Sequence, residues 1–301
     1  MNDWITRSNS LAYVLITPAR NEEAYIGRTI QSVISQTILP RKWVIVSDGS
    51  TDRTDQIVQE HLASNPWMKF VRMPERRDRN FAGKVFCFNA GYESLRNDEY
   101  DIIGNLDADI SFGPDYFEFL LEKFASQPGL GVAGTPFVED GFQYDYRFVN
   151  IEHVSGACQV FRRKCFEDIG GYTPIKGGGI DWVAVTTARM RGWGTRTFTE
   201  KSCLHHRKIG TGKSKILLSW FRFGKQDYYL GGHPVWEVFR CLYQLKSKPY
   251  VVSSLMLFSG YLWAYFAKQE RPISPELIQF RRKEQMQRLR RILGKFVVLR
   301  A

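Results

Sequence analysis

Cysteine is sparse in this chain and shows no pairing pattern. Its 301 residues hold five, at Cys87, Cys158, Cys165, Cys203 and Cys241. No two stand at C-x-x-C spacing and the number is odd, so neither a disulfide framework nor a zinc ribbon is expected. Reduced thiols in a cytosolic compartment are expected instead. The N-terminal residues Met1-Asn2-Asp3-Trp4 lack a basic stretch leading into an apolar run, so no secretory signal is read there. Internal repeats and low-complexity linkers are also missing. Long apolar runs are absent with one exception, Tyr250 to Ala267, which carries no charged residue. Its length lies at the lower limit for a bilayer-spanning helix, roughly 17–25 residues. Acidic residues are outnumbered, 31 against 42 basic ones, for a net charge of +11 and a pI near 9.4. That balance favours anionic partners: nucleotides, nucleic acid or an acidic membrane surface. No helix-turn-helix, zinc or single-strand platform signature accompanies it, so no nucleic-acid partner is expected.

What is present is ordinary globular composition, 44% hydrophobic and 24% charged, with aromatics high at 14% and many of them late in the chain. Such a length buries a full core, as one large domain or a domain with an appendage. Strand runs at Ala12–Thr17, Trp43–Val46, Met68–Met73 and Tyr100–Gly104 alternate with helical spacings. Ile26, Ile30, Val33 and Ile34 mark the first helix, Ile57, Val58, His61 and Leu62 the second, and Val85, Phe88, Tyr92 and Leu95 the third. This alternation predicts an α/β fold with a mixed, mostly parallel twisted sheet and flanking helices, whose βα loops converge on one edge.

Those loops are polar. Asn105-Leu106-Asp107-Ala108-Asp109 follows a strand, and two nearby carboxylates repel unless a cation lies between them. Hard oxygen ligands suit Mg²⁺ or Mn²⁺, which keep positions open for substrate phosphates. Asp48 ends its strand, where a carboxylate can accept from a base N–H or a ribose hydroxyl, while Asp52 reads equally as a helix cap. The cations of Arg76-Arg77-Asp78-Arg79-Asn80-Phe81-Ala82-Gly83-Lys84 fit a diphosphate, or a solvated face.

Four segments then stand in the order and spacing of family 2 glycosyltransferases: Thr17-Pro18-Ala19-Arg20-Asn21-Glu22-Glu23, Ser47-Asp48-Gly49-Ser50-Thr51-Asp52, Gly83-Lys84 with Asn89-Ala90-Gly91, and Asp107-Ala108-Asp109. The chain resembles that family over roughly residues 10 to 230, in its bacterial polysaccharide-biosynthesis type. The resemblance implies a nucleotide-sugar-binding glycosyltransferase A-type fold. It implies nucleotide contacts from Pro18, Ala19, Arg20, Glu22, Asp48, Lys84, Asp107 and Ala108, with Asp48 on the base, usually uracil. It implies ribose and metal contacts from Asp107 and Asp109.

In the second half, Ser155-Gly156-Ala157 matches the stretch that borders sugar and acceptor in the family, and also reads as a glycine turn against a sheet. Asp181 follows three glycines and opens a helix. The family carries an acidic residue there, often as Glu-Asp; here Ile180 precedes it, so Asp181 is the expected general base, or a dipole-favoured helix residue. Trp182 beside it is placed at the acceptor. His205 or His206 is a candidate metal ligand, as in some family members, and a lone histidine otherwise serves structure. The glycine-containing loop carrying Arg207, Lys208 and Lys213 could close over a pyrophosphate.

From about residue 214 aromatic residues mix with Arg and Lys, as in helices at a membrane interface or in helices that pack on a partner. Three Ser, one Gly and four Trp or Tyr make Tyr250–Ala267 interfacial in character, an embedded or buried segment rather than a simple span. A basic helix from Pro275 to about Lys295 fits an anionic bilayer surface or a solvated face. The expected organisation is a nucleotide-sugar-binding domain over 1–213 and a helical, aromatic and basic region over 214–301. The expected activity is metal-dependent, inverting transfer from a nucleotide-diphosphate sugar, UDP favoured, to a glycan or lipid-linked hydroxyl at the cytoplasmic face of a membrane. The alternative is a non-catalytic nucleotide-sugar-binding subunit, against which the intact acidic positions count.

Overall fold

Apolar β-branched runs seed the sheet. In the computed structural model, which describes residues 11–76, 80–139, 150–207, 213–245 and 250–298, β1 (Tyr13–Ala19) and β2 (Lys42–Ser47) are buried over nearly their whole length. Strands covered on both faces read as continuous apolar runs rather than alternating ones. Helix α1 (Ile26–Ile34) joins these two strands, and α2 (Thr54–Leu62) leads to β3 (Met68–Arg72). Then α3 (Ala82–Glu93) precedes β4 (Ile102–Leu106). The short β5 (Ile110–Ser111), α4 (Tyr116–Ser126), β6 (Leu130–Gly134), β7 (Phe137–Val138), β8 (Cys158–Arg162) and α5 (Arg163–Asp168) follow. Next come α6 (Ile180–Met190), β9 (Gly194–Thr197) and β10 (Cys203–His205). The last helices are α7 (Lys213–Tyr229), α8 (Pro234–Gln244), α9 (Tyr250–Phe266) and α10 (Pro275–Val298).

The main sheet has seven strands in the order β3-β2-β1-β4-β8-β6-β9. β3, β2, β1 and β4 run parallel, β8 is antiparallel to both its neighbours, and β9 is parallel to β6. The sheet is therefore mixed and mostly parallel. A second sheet of three short strands, β5-β10-β7, pairs His205 with Ile110 and Leu204 with Val138. That pairing brings a segment almost a hundred residues away alongside the turn after β4.

The chain divides into two compact units, Met1–Lys176 with Ile180–Lys208, and Gly177–Gly179 with Ile209–Ala301. In the first, Tyr13, Leu15, Trp43, Ile45, Phe117, Phe124 and Leu106 lie in the core between the sheet and its helices. The second consists of α7 to α10. There, β-carbons at Gly224 and Gly260 would collide with the carbonyl oxygens of Leu257 and Phe221, so glycine is what lets α7 and α9 cross backbone to backbone.

Candidate active site

The carboxyl ends of β1, β2 and β4 place the polar loops on one edge, as a parallel sheet with helical crossovers requires. Asp48 follows β2 directly, and its backbone N–H donates to the Ala19 carbonyl at 2.8 Å. Its carboxylate is gripped by a two-pronged guanidinium: Arg76 Nε at 2.8 Å and Nη2 at 2.6 Å, with Arg20 Nη1 at 3.3 Å. Arg20 also donates through Nη2 to the Arg76 carbonyl at 2.9 Å. Arg76 lies over the Phe86 ring, and a β-carbon on Gly83 would collide with its guanidinium. Of the cationic run, Arg76 is thus committed to Asp48 rather than free for a diphosphate, and Arg77, Asp78 and Arg79 lie outside the described residues. Pro18 and Ala19 supply the strand end itself, paired with Val46 and Ser47.

The Asp107-Ala108-Asp109 turn is held from beneath by Thr29, whose hydroxyl is within hydrogen-bond distance of the carbonyls of Ala108 (2.9 Å) and Ile110 (2.8 Å). Asp107 pairs with Lys84, and its N–H donates to the Ala157 carbonyl at 2.8 Å. Burial raises the Asp107 carboxyl above the ordinary range and the Lys84 ammonium opposes that rise. Lys84 Nζ also donates to the Gly156 carbonyl at 3.2 Å, which Asn105 Nδ2 meets at 2.8 Å.

Asp109 faces a different set. Its Oδ2 takes Arg207 Nε at 3.1 Å and stands 3.5 Å from His205 Nε2. Arg207 reaches past it to Glu22. Burial, with the Asp109 charge beside it, pushes the Glu22 carboxyl up to about 7 against the pull of Arg207. The other nitrogen of His205 lies 3.4 Å from Glu139 Oε1. A carboxylate behind an imidazole fixes its tautomer and aims the opposite nitrogen outward, the arrangement that orients metal-ligating histidines. His206 is turned elsewhere: its Nε2 meets Ser111 Oγ at 2.8 Å, its Nδ1 lies 3.2 Å from Arg28, and its ring stacks on Tyr25. Burial and Arg28 lower its basicity. Oxygen from Asp109 and an oriented nitrogen from His205 fit a divalent cation. Among the described residues no group of three His, Cys, Asp or Glu side chains stands ready to hold one.

Asp181, in the first turn of α6, accepts from the Gly156 N–H at 3.2 Å and has His153 Nε2 at 3.9 Å. Burial lowers the basicity of His153, which the Asp181 charge partly restores. Ser155 Oγ accepts from the Ala157 N–H at 3.3 Å, closing the turn, and Trp182 is half-buried one residue beyond Asp181. Sequence reasoning missed Glu139, His153 and the reach of Arg207. Nothing local marks the first two, and the spacing around Arg207 does not point to its partners Glu22 and Asp109. Lys208 and the glycines Gly210 and Gly212 lie outside the described residues.

Residues 14–155 match the model of Glycosyl transferase family 2. A chondroitin synthase of Escherichia coli is 31% identical over 118 residues, a match spanning 39% of this chain and 16% of that protein. Among solved structures, a mannosyltransferase from Pyrobaculum calidifontis in complex with GDP-Man and Mn²⁺ superposes with a TM-score of 0.61 at 17% identity, over 87% of this chain and 89% of that one. The TarS 1–349 fragment of S. aureus in complex with UDP-GlcNAc superposes at 0.54 with 15% identity, over 87% of this chain and 74% of that one. These likenesses show the glycosyltransferase A-type fold. Residues 14–155 of this chain therefore carry a domain that matches Glycosyl transferase family 2.

Proposed function

We propose that the protein moves a sugar from a nucleotide-diphosphate donor, UDP-linked by preference, to a hydroxyl of a glycan or lipid-linked acceptor, with inversion and with a bound Mg²⁺ or Mn²⁺. The observation that carries this is the backbone of Gly156. Its N–H faces the Asp181 carboxylate, while its carbonyl takes Lys84, the partner of Asp107. The backbone of one residue therefore separates the proposed base from the proposed donor side.

In this reading Pro18, Ala19, Arg20, Glu22, Asp48, Lys84, Asp107 and Ala108 contact the nucleotide, with Asp48 on the base and Asp107 at the ribose. Asp48 reaches the base after Arg76 gives up one of its two prongs. Asp109 and His205 would hold the cation, with Asp107 beside them and His206 positioned as their neighbour. When bound, the cation supplies positive charge to the leaving diphosphate. Ser155, Gly156, Ala157 and Trp182 border the sugar and acceptor. Asp181 takes the acceptor hydroxyl's proton as that oxygen attacks the anomeric carbon from the face opposite the diphosphate, so a single displacement inverts configuration. The working place is the cytoplasmic face of a membrane, with the C-terminal unit, proposed to begin near residue 214, as the attachment, and polysaccharide assembly as the process.

The test is to incubate purified protein with Mn²⁺ or Mg²⁺ and a panel of nucleotide sugars and to read released nucleoside diphosphate. Metal-dependent hydrolysis of one donor supports the reading, and absence of both hydrolysis and nucleotide binding overturns it.

A further inference from the structure

The helices α8 and α9 are inside out. On α8, every exposed position (Pro234, Val235, Val238, Leu242 and, at its cap, Leu245) is apolar. The last four fall at i, i+3, i+7 and i+10, one face of a helix. Its two charged residues point the other way: Glu237 is 0% exposed, and Arg240 bonds to Glu237 and to Asp227 of α7. On α9, Val252, Leu255, Ser259, Trp263 and Phe266 form an exposed stripe, with Leu255 at 61% and Phe266 at 74%. Two of its hydroxyls are turned inward, Ser253 and Ser254 being buried and Ser254 donating to the Cys241 carbonyl at 2.7 Å. A helix face against water carries the opposite arrangement. Yet no helix among the described residues is long and apolar enough to cross a membrane.

Charge is divided just as sharply. Residues 209–301 carry 17 Lys and Arg against 5 Asp and Glu, a net of +12, while residues 1–208 carry 25 against 26, a net of −1. The whole excess of positive charge belongs to the unit that exposes the apolar faces. On α10 the outward positions include Lys283, Arg290 and Arg291.

We infer that the outward faces of α8 and α9 lie in the plane of an anionic phospholipid bilayer, with their apolar stripes entering the boundary between headgroups and acyl chains and α10 supplying cationic contacts to acidic headgroups. The inference rests on the membrane-attachment reading above and names the surface, the in-plane mode and the lipid class. Apolar burial and attraction to acidic lipid combine in this mode of binding. A second copy of the chain would use the apolar faces but would gain nothing from a charge of one sign, because like charges repel.

The experiment is flotation of the full chain with phosphatidylcholine vesicles containing about one-third phosphatidylglycerol and with vesicles of phosphatidylcholine alone. The expected result is binding to the first set, weakened when salt rises from about 0.1 M to about 1 M, where the Debye length falls from about 10 Å to about 3 Å. The double variant Leu242→Asp with Leu255→Asp should lose roughly tenfold or more in binding with an unchanged melting temperature, since both sites are already exposed. The triple variant Lys283→Gln, Arg290→Gln, Arg291→Gln should remove most of the preference for anionic vesicles. Equal binding to both lipids, unchanged binding by the double variant, or a stable dimer that the double variant dissociates would each overturn the proposal. Nucleotide binding is read on the same preparation. Vesicle binding without nucleotide binding supports this surface and counts against the glycosyl-transfer reading alone; nucleotide binding without vesicle binding does the reverse.

Discussion

Asp107 and Asp109 stand two positions apart and answer to different partners. Asp107 pairs with Lys84 and hydrogen-bonds through its backbone to Ala157, while Asp109 meets Arg207 and His205. The turn between them, pinned by Thr29, points one carboxylate toward the β8 side of the site and the other toward the small sheet.

Removing Asp109 should therefore act on the cation and leave the base pocket intact. For Asp109→Ala the expected outcome is loss of the Mn²⁺-dependent part of donor hydrolysis, with nucleotide binding in the absence of metal nearly unchanged. Glu139→Gln should act in the same direction but more weakly, about 10- to 100-fold in metal affinity, because it disturbs only the orientation of His205. Titrating Mn²⁺ against activity for both variants checks the order. Full metal-dependent turnover by Asp109→Ala would contradict the assignment.

Asp48 carries a separate expectation. Its carboxylate is 7% exposed as part of a residue gripped by Arg76 and Arg20, so an amide there breaks a charge-assisted pair. Hydrogen bonds to charged groups contribute about 1.5–3 kcal/mol. Asp48→Asn is expected to weaken nucleoside diphosphate binding about 10- to 100-fold by calorimetry, and to do so whether or not metal is added. A loss seen only with metal present would place Asp48 outside the base pocket.

These two groups differ in how far the sequence revealed them. Asp48 and Asp107 directly follow β2 and β4, short apolar runs bounded by polar turns, so their common edge follows from strand–helix alternation. His205 was open between two imidazoles, because β5, β7 and β10 are two or three residues long and carry no periodicity. The register that sets His205 opposite Ile110 is tertiary. His153 and Glu139 had no local signal at all. By sequence Arg76 is one cation in a basic run, whereas the Gly83 backbone and the Phe86 ring shape its seat against Asp48.

Asp181 should separate transfer from donor binding. Its carboxylate hydrogen-bonds the Gly156 N–H, so Asp181→Asn preserves shape and removes the proton acceptor. General-base catalysis contributes typically about 10²- to 10⁴-fold. The expected outcome is a fall of that size in transfer to an acceptor, with donor affinity unchanged. A loss of donor affinity equal to the loss of rate would show Asp181 to be a structural helix residue.

The buried charges of the C-terminal unit make stability depend on pH in a direction opposite to most carboxylates. Glu237 is fully buried against the Asp227 carboxylate, and burial pushes it up to about 8 despite Arg240. Asp227 itself is held below the usual range by Arg281 and Arg240. The folded protein thus keeps a proton on Glu237 that the unfolded chain releases near its ordinary value of 4.5. Between about pH 4.5 and 8 the folded state binds more protons than the unfolded one, so this group's contribution is complete below 4.5 and is lost as pH rises through 8. Asp227, with a lowered value, contributes above its unfolded range and so does not offset that slope. Glu237→Gln replaces the carboxylic acid by an amide that donates without titrating. Its melting temperature, measured against the parent from pH 5 to about 9, should converge with the parent at the acid end and exceed it increasingly toward the alkaline end. A constant gap across the range would show that Glu237 is ionised in the folded protein.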